Sequence, residues 1–286
     1  MNEYRHLQIR RSGGVAFATI DNGPVNVLDV SLMSELRKFL VAARGDDGLK
    51  VIVFESANPD FFIAHVDMTL IDQPHAFDEM AKEAPDGMNV FQAFAELVRH
   101  QPQVTIVKLA GIARGGGAEF VTAADMTFAA VGKAGLAQCE ALMGIVPGGG
   151  GTQYALHRLG RNRALEVVLG AELFSAELAE RYGWINRALP SDQLDTFVDT
   201  IAHNIATLPE GVIAAAKQVL SPAPLRDGFL REHEAWYSLF IQPAAEALIR
   251  GGLEVGAQTV EGELHLEQLL RELGRRSEGR KVSETI

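Results

Sequence analysis

Three short apolar runs, residues 51–54 (VIVF), 104–110 (VTIVKLA) and 126–130 (MTFAA), recur through the first half of the chain with helical patterns between them. Runs this short, continuous and bounded read as strands buried on both faces. Strand, helix and strand in series need crossover connections, so the sheet is largely parallel and the class is α/β. Upstream, residues 7–10 and 15–20 flank Ser12-Gly13-Gly14 and predict a hairpin. Leu32, Met33, Leu36, Phe39, Leu40 and Ala43 follow at helical spacing behind the capping candidates Asp29 and Ser31. Further helices are predicted over 90–99 and from about Gly117.

After Pro147 the strands give way to helical patterns over 152–159, 164–169, 176–182, 194–208 and 211–220. A break at Ser221-Pro222-Ala223-Pro224 precedes more helix to about Arg275, and the polar end GRRSEGRKVSETI predicts fraying.

With 286 residues the chain can bury a large core. A mean hydropathy of +0.06 is that of an ordinary soluble protein, and no apolar run approaches the roughly 20 residues that span a bilayer, so no membrane role is expected. No secretory signal is visible at MNEYRHLQIRR. One cysteine, Cys139, allows no internal disulfide and points to a reducing, cytoplasmic setting. A formal charge of −11 argues against nucleic acid as a partner. No His, Cys or carboxylate spacing suggests a metal site.

The chemistry is concentrated in two glycine runs, each near an acid. In GIARGGGAEF, Gly115-Gly116-Gly117 precede Glu119; in CEALMGIVPGGGGT, Glu140 precedes Gly148 to Gly151. Neither run has the spacing of a dinucleotide fingerprint or the lysine of a P-loop. A strand running through glycines into a helix instead offers free backbone N–H groups at the positive helix end, able to hold an oxyanion. Without the context of the rest of the chain, the triplet reads first as a tight, closely packed turn. Glu140 lies 21 residues after Glu119, and a helix, strand and return between them can bring both acids to one pocket as general base and acid; two unrelated surface glutamates are the competing reading.

Four stretches in order, GPVNVLD (23–29), FFIAHVDM (61–68), ARGGGAEF (113–120) and CEALMGIVPGGGGTQ (139–153), resemble the crotonase, or enoyl-CoA hydratase/isomerase, superfamily over about residues 14–220. The resemblance implies a spiral of repeated ββα units, an α/β core over residues 1–205 and a C-terminal α-helical oligomerisation region over 206–286. It implies an enzyme of fatty acid metabolism, a lyase that adds water to a trans-2-enoyl-CoA, assembled as a trimer or hexamer, with no cofactor beyond the coenzyme A of its substrate. The backbone N–H groups of Val66 and Gly116 then form the oxyanion hole, Glu119 activates water, Glu140 exchanges a proton at the carbon beside the carbonyl, and Ala64, His65, Gly115 and Gly117 lie against the substrate. Other outcomes from the same oxyanion hole (double-bond isomerisation, thioester hydrolysis, carbon–carbon cleavage) remain open, as does a non-catalytic homologue binding CoA esters or a macromolecule.

Three residues depart from the family pattern: His65 replaces a glycine, Arg114 a small or apolar residue, and Cys139 a proline. His65 reads either as an exposed or hydrogen-bonded loop residue or as a substrate contact. Arg114 reads as a surface or structural arginine rather than a CoA phosphate ligand, and Cys139 as a small buried residue. A helix-terminal position is expected to lower the pKa of Glu119, which suits a base. Asp67 and Asp125 read as caps or turn formers.

Overall fold

The computed structural model describes residues 4–283, with side chains through residue 276. Its main sheet orders β1 (Leu7–Ser12), β2 (Val15–Ile20), β3 (Val51–Ser56), β5 (Val104–Leu109), β7 (Met126–Ala130) and β10 (Arg187–Leu189) side by side. The β1–β2 pair is the expected antiparallel hairpin, and every later pairing is parallel. Both faces of the central strands are covered, so β3 is buried from Val51 to Phe54 without alternation.

A second, smaller sheet contains β4 (Phe61–Ile63), β6 (Ile112–Arg114), β8 (Gly135–Ala137) and β9 (Phe174–Ser175). Each main-sheet strand β3, β5 and β7 is followed by a short strand of this sheet and then a helix, the ββα repeat the resemblance implies. Because β4, β6 and β8 are adjacent and parallel, their carboxyl ends emerge along one edge. Open α/β sheets bind ligands at such edges. The chain leaves β4 into His65 and Val66, β6 into Gly115 and Gly116, and β8 into Gln138, Cys139 and Glu140.

Asp29 caps the Val30–Arg44 helix by accepting from Leu32 N–H at 2.7 Å, while Ser31 lies inside it. Phe120 holds the Gly116–Ala123 helix between the layers, meeting Phe54, Phe62 and Phe94 with ring centroids 5.0, 6.0 and 5.7 Å away. Two expectations for the second half need correction. Strands do not end at Pro147, since β9 and β10 each close an edge of a sheet. The last helix does not fray at Gly274 but runs Leu266–Ser283. The helices Pro243–Glu254 and Leu266–Ser283 fold back onto the edge where β4, β6 and β8 end, placing Ala245, Ile249, Leu266 and Leu270 against Met68, Cys139, Met143 and Ile145.

Candidate active site

The glycines after β6 answer three separate constraints. Gly115 has φ +48°, and a Cβ there would stand 3.0 Å from Glu140 Oε1. At Gly116 a Cβ would fall 2.6 Å from Val66 Cγ2, and at Gly117 it would fall 2.2 Å from the Ile63 carbonyl oxygen. Only bare backbone lets the β4 and β6 loops meet this closely. Gly116 is the first residue of its helix, so its N–H has no acceptor one turn back. The Val66 N–H likewise donates to no backbone carbonyl among the described residues. The His65 carbonyl at the other side of that peptide accepts from Leu28 N–H at 2.8 Å, which aims the Val66 N–H the opposite way.

Glu119 and Glu140 reach the same cavity and are both buried. Glu119 Oε1 accepts from the N–H groups of Gly149 at 2.8 Å and Gly151 at 3.0 Å, the start of the Gly151–Leu159 helix. The second glycine run is therefore part of the carboxylate's cradle: a Cβ at Gly149 would lie 2.2 Å from Glu119 Oε2. Assigned with its nitrogen toward Glu140, the Gln138 amide donates to both carboxylate oxygens at 3.1 Å, where the reverse orientation would set oxygen against oxygen.

Burial, followed by the charges of Glu140 and Glu232, pushes Glu119 well above the usual carboxylate range, although the Gly149 and Gly151 N–H groups pull the other way. The lowering expected from the helix terminus is thus outweighed. Burial also raises Glu140, to about 7, with Glu232 adding to the rise and His65 opposing it. Two buried acids that repel each other hold a proton between them, which leaves one base and one acid near neutral pH.

The cavity measures about 260 Å³. Val66, Gly115 and Gly116 line it beside the two acids, and Phe77, Phe91, Met143, Trp236, Phe240 and Ile249 supply apolar walls. Trp236 and Phe240 stack with ring centroids 4.7 Å apart. Part of the cover comes from Leu70, Ile71, Gln73 and Pro74, between β4 and the Val90–Arg99 helix. A wider cleft of about 710 Å³ lined by Arg44, Lys50 and Ile213 holds none of these acids and belongs to another part of the surface.

Not every expected residue meets the cavity. Ala64 turns its methyl into a small core with Val25, Phe61 and Ile112, fixed by its N–H donating to Val25 O at 3.2 Å, and Gly117 faces Ile63 rather than the cavity. His65 does line it, but as a buried, hydrogen-bonded side chain rather than an exposed one, and Arg114 is fully buried. Burial raises the Cys139 thiol far above its ordinary pKa, so it is an inert packing residue. Asp67 caps Met68–Asp72 through Thr69 N–H at 2.9 Å, and Asp125 accepts from Thr105 N–H at 2.8 Å.

Glu232 is the residue that sequence reasoning missed. Buried on the Arg226–Phe240 helix, it accepts from Gly150 N–H at 2.7 Å, Thr152 N–H at 2.9 Å and Gln92 Nε2 at 3.0 Å. Glu119 and Glu232 so share the start of one helix, taking alternate N–H groups. Its signal was an acid within the helical stripe Phe229, Glu232, Trp236 and Phe240, where a solvated glutamate does not belong.

Residues 10–255 match the family model described as Enoyl-CoA hydratase/isomerase. The chain belongs to this family. Its structure superimposes on a crystal structure of a "putative enoyl-CoA hydratase from Streptomyces avermitilis" with TM-score 0.94 and 59% identity, covering 95% of this chain and 99% of that one. Methylglutaconyl-CoA hydratase, mitochondrial, of Mus musculus is 27% identical over 212 residues, 73% of this chain. That alignment spans 66% of the mouse protein, just under two thirds of its length. A "Probable enoyl-CoA hydratase, mitochondrial" of Dictyostelium discoideum is 27% identical over 237 residues, 80% of this chain and 81% of that protein. The crotonase fold and the enoyl-CoA hydratase/isomerase membership expected from the four stretches both hold.

Proposed function

We propose that the protein hydrates a trans-2-enoyl-CoA thioester, with Glu119 and Glu140 as its acid–base pair. The thioester oxygen lies on the Val66 and Gly116 N–H groups, where an enolate can form; removing one such donor typically costs about 10²–10³ in rate. When the one proton the pair shares sits on Glu140, Glu119, oriented by two backbone N–H groups, takes a proton from water as its oxygen bonds to C3. The C2=C3 electrons move onto the thioester oxygen, and Glu140, protonated, delivers its proton to C2. Elimination of water reverses each step. The observation that carries this reading is that two buried acids and two free amides converge on one apolar cavity.

The same walls indicate the acyl group. A cavity of about 260 Å³ is smaller than the roughly 300–1,000 Å³ that encloses a whole drug-sized ligand, so it takes the acyl end. Among the described residues no lysine or arginine lines it, which favours an apolar acyl chain over one bearing its own carboxylate.

Hydration is followed as loss of the conjugated thioester absorbance with crotonyl-CoA and a longer enoyl-CoA. General acid–base groups contribute about 10²–10⁴ in rate, so Glu119→Gln and Glu140→Gln should each lose at least the lower figure. Full activity in either variant removes that residue from the pair, and a wild type inert to both substrates sinks the hydratase reading. The exposed apolar side chains of Leu165, Leu169, Tyr237 and Ile241 are read as contacts within a trimer or hexamer; sedimentation at the 31.0 kDa monomer mass would contradict this.

A further inference from the structure

His65 and Arg114, two of the departures from the family pattern, stand one residue before Val66 and two before Gly116. Both are buried, and both end on Glu263, in the Val260–Glu263 turn of the C-terminal region. His65 Nε2 lies 2.8 Å from Glu263 Oε1, and Nδ1 lies 2.7 Å from the Val66 carbonyl oxygen. A carbonyl can only accept, and Glu263 already accepts from Gln258 N–H at 2.8 Å and from Arg114 Nη1 at 3.2 Å. With acceptors at both nitrogens, the ring carries two hydrogens and is an imidazolium.

Arg114 closes the cluster. Its Nε and Nη2 donate to Glu267 at 2.6 and 3.1 Å, and Nη2 also donates to the Glu263 carbonyl at 2.8 Å. Two cations and two carboxylates thus form a neutral, buried group. Burial alone would lower the His65 pKa, but Glu263 outweighs it and the net shift is upward. The other charged or titratable groups facing the ring are Arg114 and, across the cavity side, Glu140; Cys139 and Glu267 adjoin the same cluster.

Buried ion clusters are expensive to desolvate and are weak evidence for stability; their best-attested use is to fix geometry. Here the geometry is specific. One carboxylate reaches, through His65, the loop that presents the Val66 N–H and, through Arg114, the loop that presents the Gly116 N–H. We propose that Glu263 is a positioning residue that holds the two oxyanion amides at a fixed separation, His65 and Arg114 being its two arms. This rests on Val66 and Gly116 forming the oxyanion hole. It also makes the hole dependent on the Val260–Glu263 turn and the Leu266–Ser283 helix, which follow the helices that supply Trp236, Phe240 and Ile249 to the acyl cavity.

The test uses butyryl-CoA labelled with ¹³C at the thioester carbonyl, a saturated ligand that cannot be hydrated. In the wild type its carbonyl stretch should move to lower frequency on binding, and in Glu263→Gln that shift should shrink. Misplacement near 1 Å can cost about 10²-fold, so kcat should fall roughly 10- to 100-fold in this variant with KM changed less than about threefold. A carbonyl unshifted in the wild type refutes the oxyanion assignment itself. One shifted equally in wild type and Glu263→Gln leaves that assignment standing and overturns the positioning role. If Glu263→Gln does not fold, ¹⁵N spectra of the wild-type protein decide: among eight histidines, one should keep both ring nitrogens protonated to a higher pH than an exposed imidazole and vanish from the His65→Gln spectrum. A His65 ring that deprotonates no later than an exposed imidazole would overturn the proposal.

Discussion

Glu140 carries the clearest consequence at the scale of single residues. Burial raises it from 4.5 to about 7, and hydration needs the pair to hold one proton. Because Glu119 is raised well above its ordinary range and Glu140 to about 7, the pair reaches its one-proton form as pH rises through about 7, so kcat/KM, which reports free-enzyme groups, should rise on an acid limb near 7. The limb belongs to the coupled acids together and should be absent in Glu140→Gln. A wild-type profile flat from pH 6 to 9 would contradict the assignment. The same shift has a stability sign: the folded form binds more protons than the unfolded one between about 4.5 and 7, so this group's contribution declines as pH rises across that window. The Glu119–Glu140 pair was legible in the sequence because each acid sits beside a glycine run. That His65 and Arg114 are ionised arms of one cluster was not, because their partner Glu263 is 198 and 149 residues away.

Among elements, the main sheet apart from β10 and the helices Val90–Arg99 and Ala176–Tyr182 follow directly from apolar runs and helical period, whereas β4, β6 and β8 do not. Three residues hold too little of a two-residue period to be told from a loop, and these strands exist because the ββα repeat folds each one against its predecessor. Yet they place every reacting group, since three parallel neighbours end at one edge. The start of the Gly151–Leu159 helix is a second device of this kind: Gly149 and Gly151 serve Glu119, and Gly150 and Thr152 serve Glu232. Two acids interleaved on one helix end fix its first turn against the catalytic edge, and Glu232 adds to the rise in the Glu140 pKa that burial causes.

For the whole molecule, the core supplies the amides and acids while the C-terminal helices return to wall the acyl cavity and brace both amide loops. The division of labour between Glu119 and Glu140 is the account's central claim, and proton exchange separates it most directly. Wild-type protein in D₂O with butyryl-CoA should exchange one hydrogen at the carbon beside the carbonyl, read by NMR without any hydration. Glu119→Gln should retain this exchange while losing hydration, and Glu140→Gln should lose both. Exchange that survives in Glu140→Gln and disappears in Glu119→Gln would contradict the assignment.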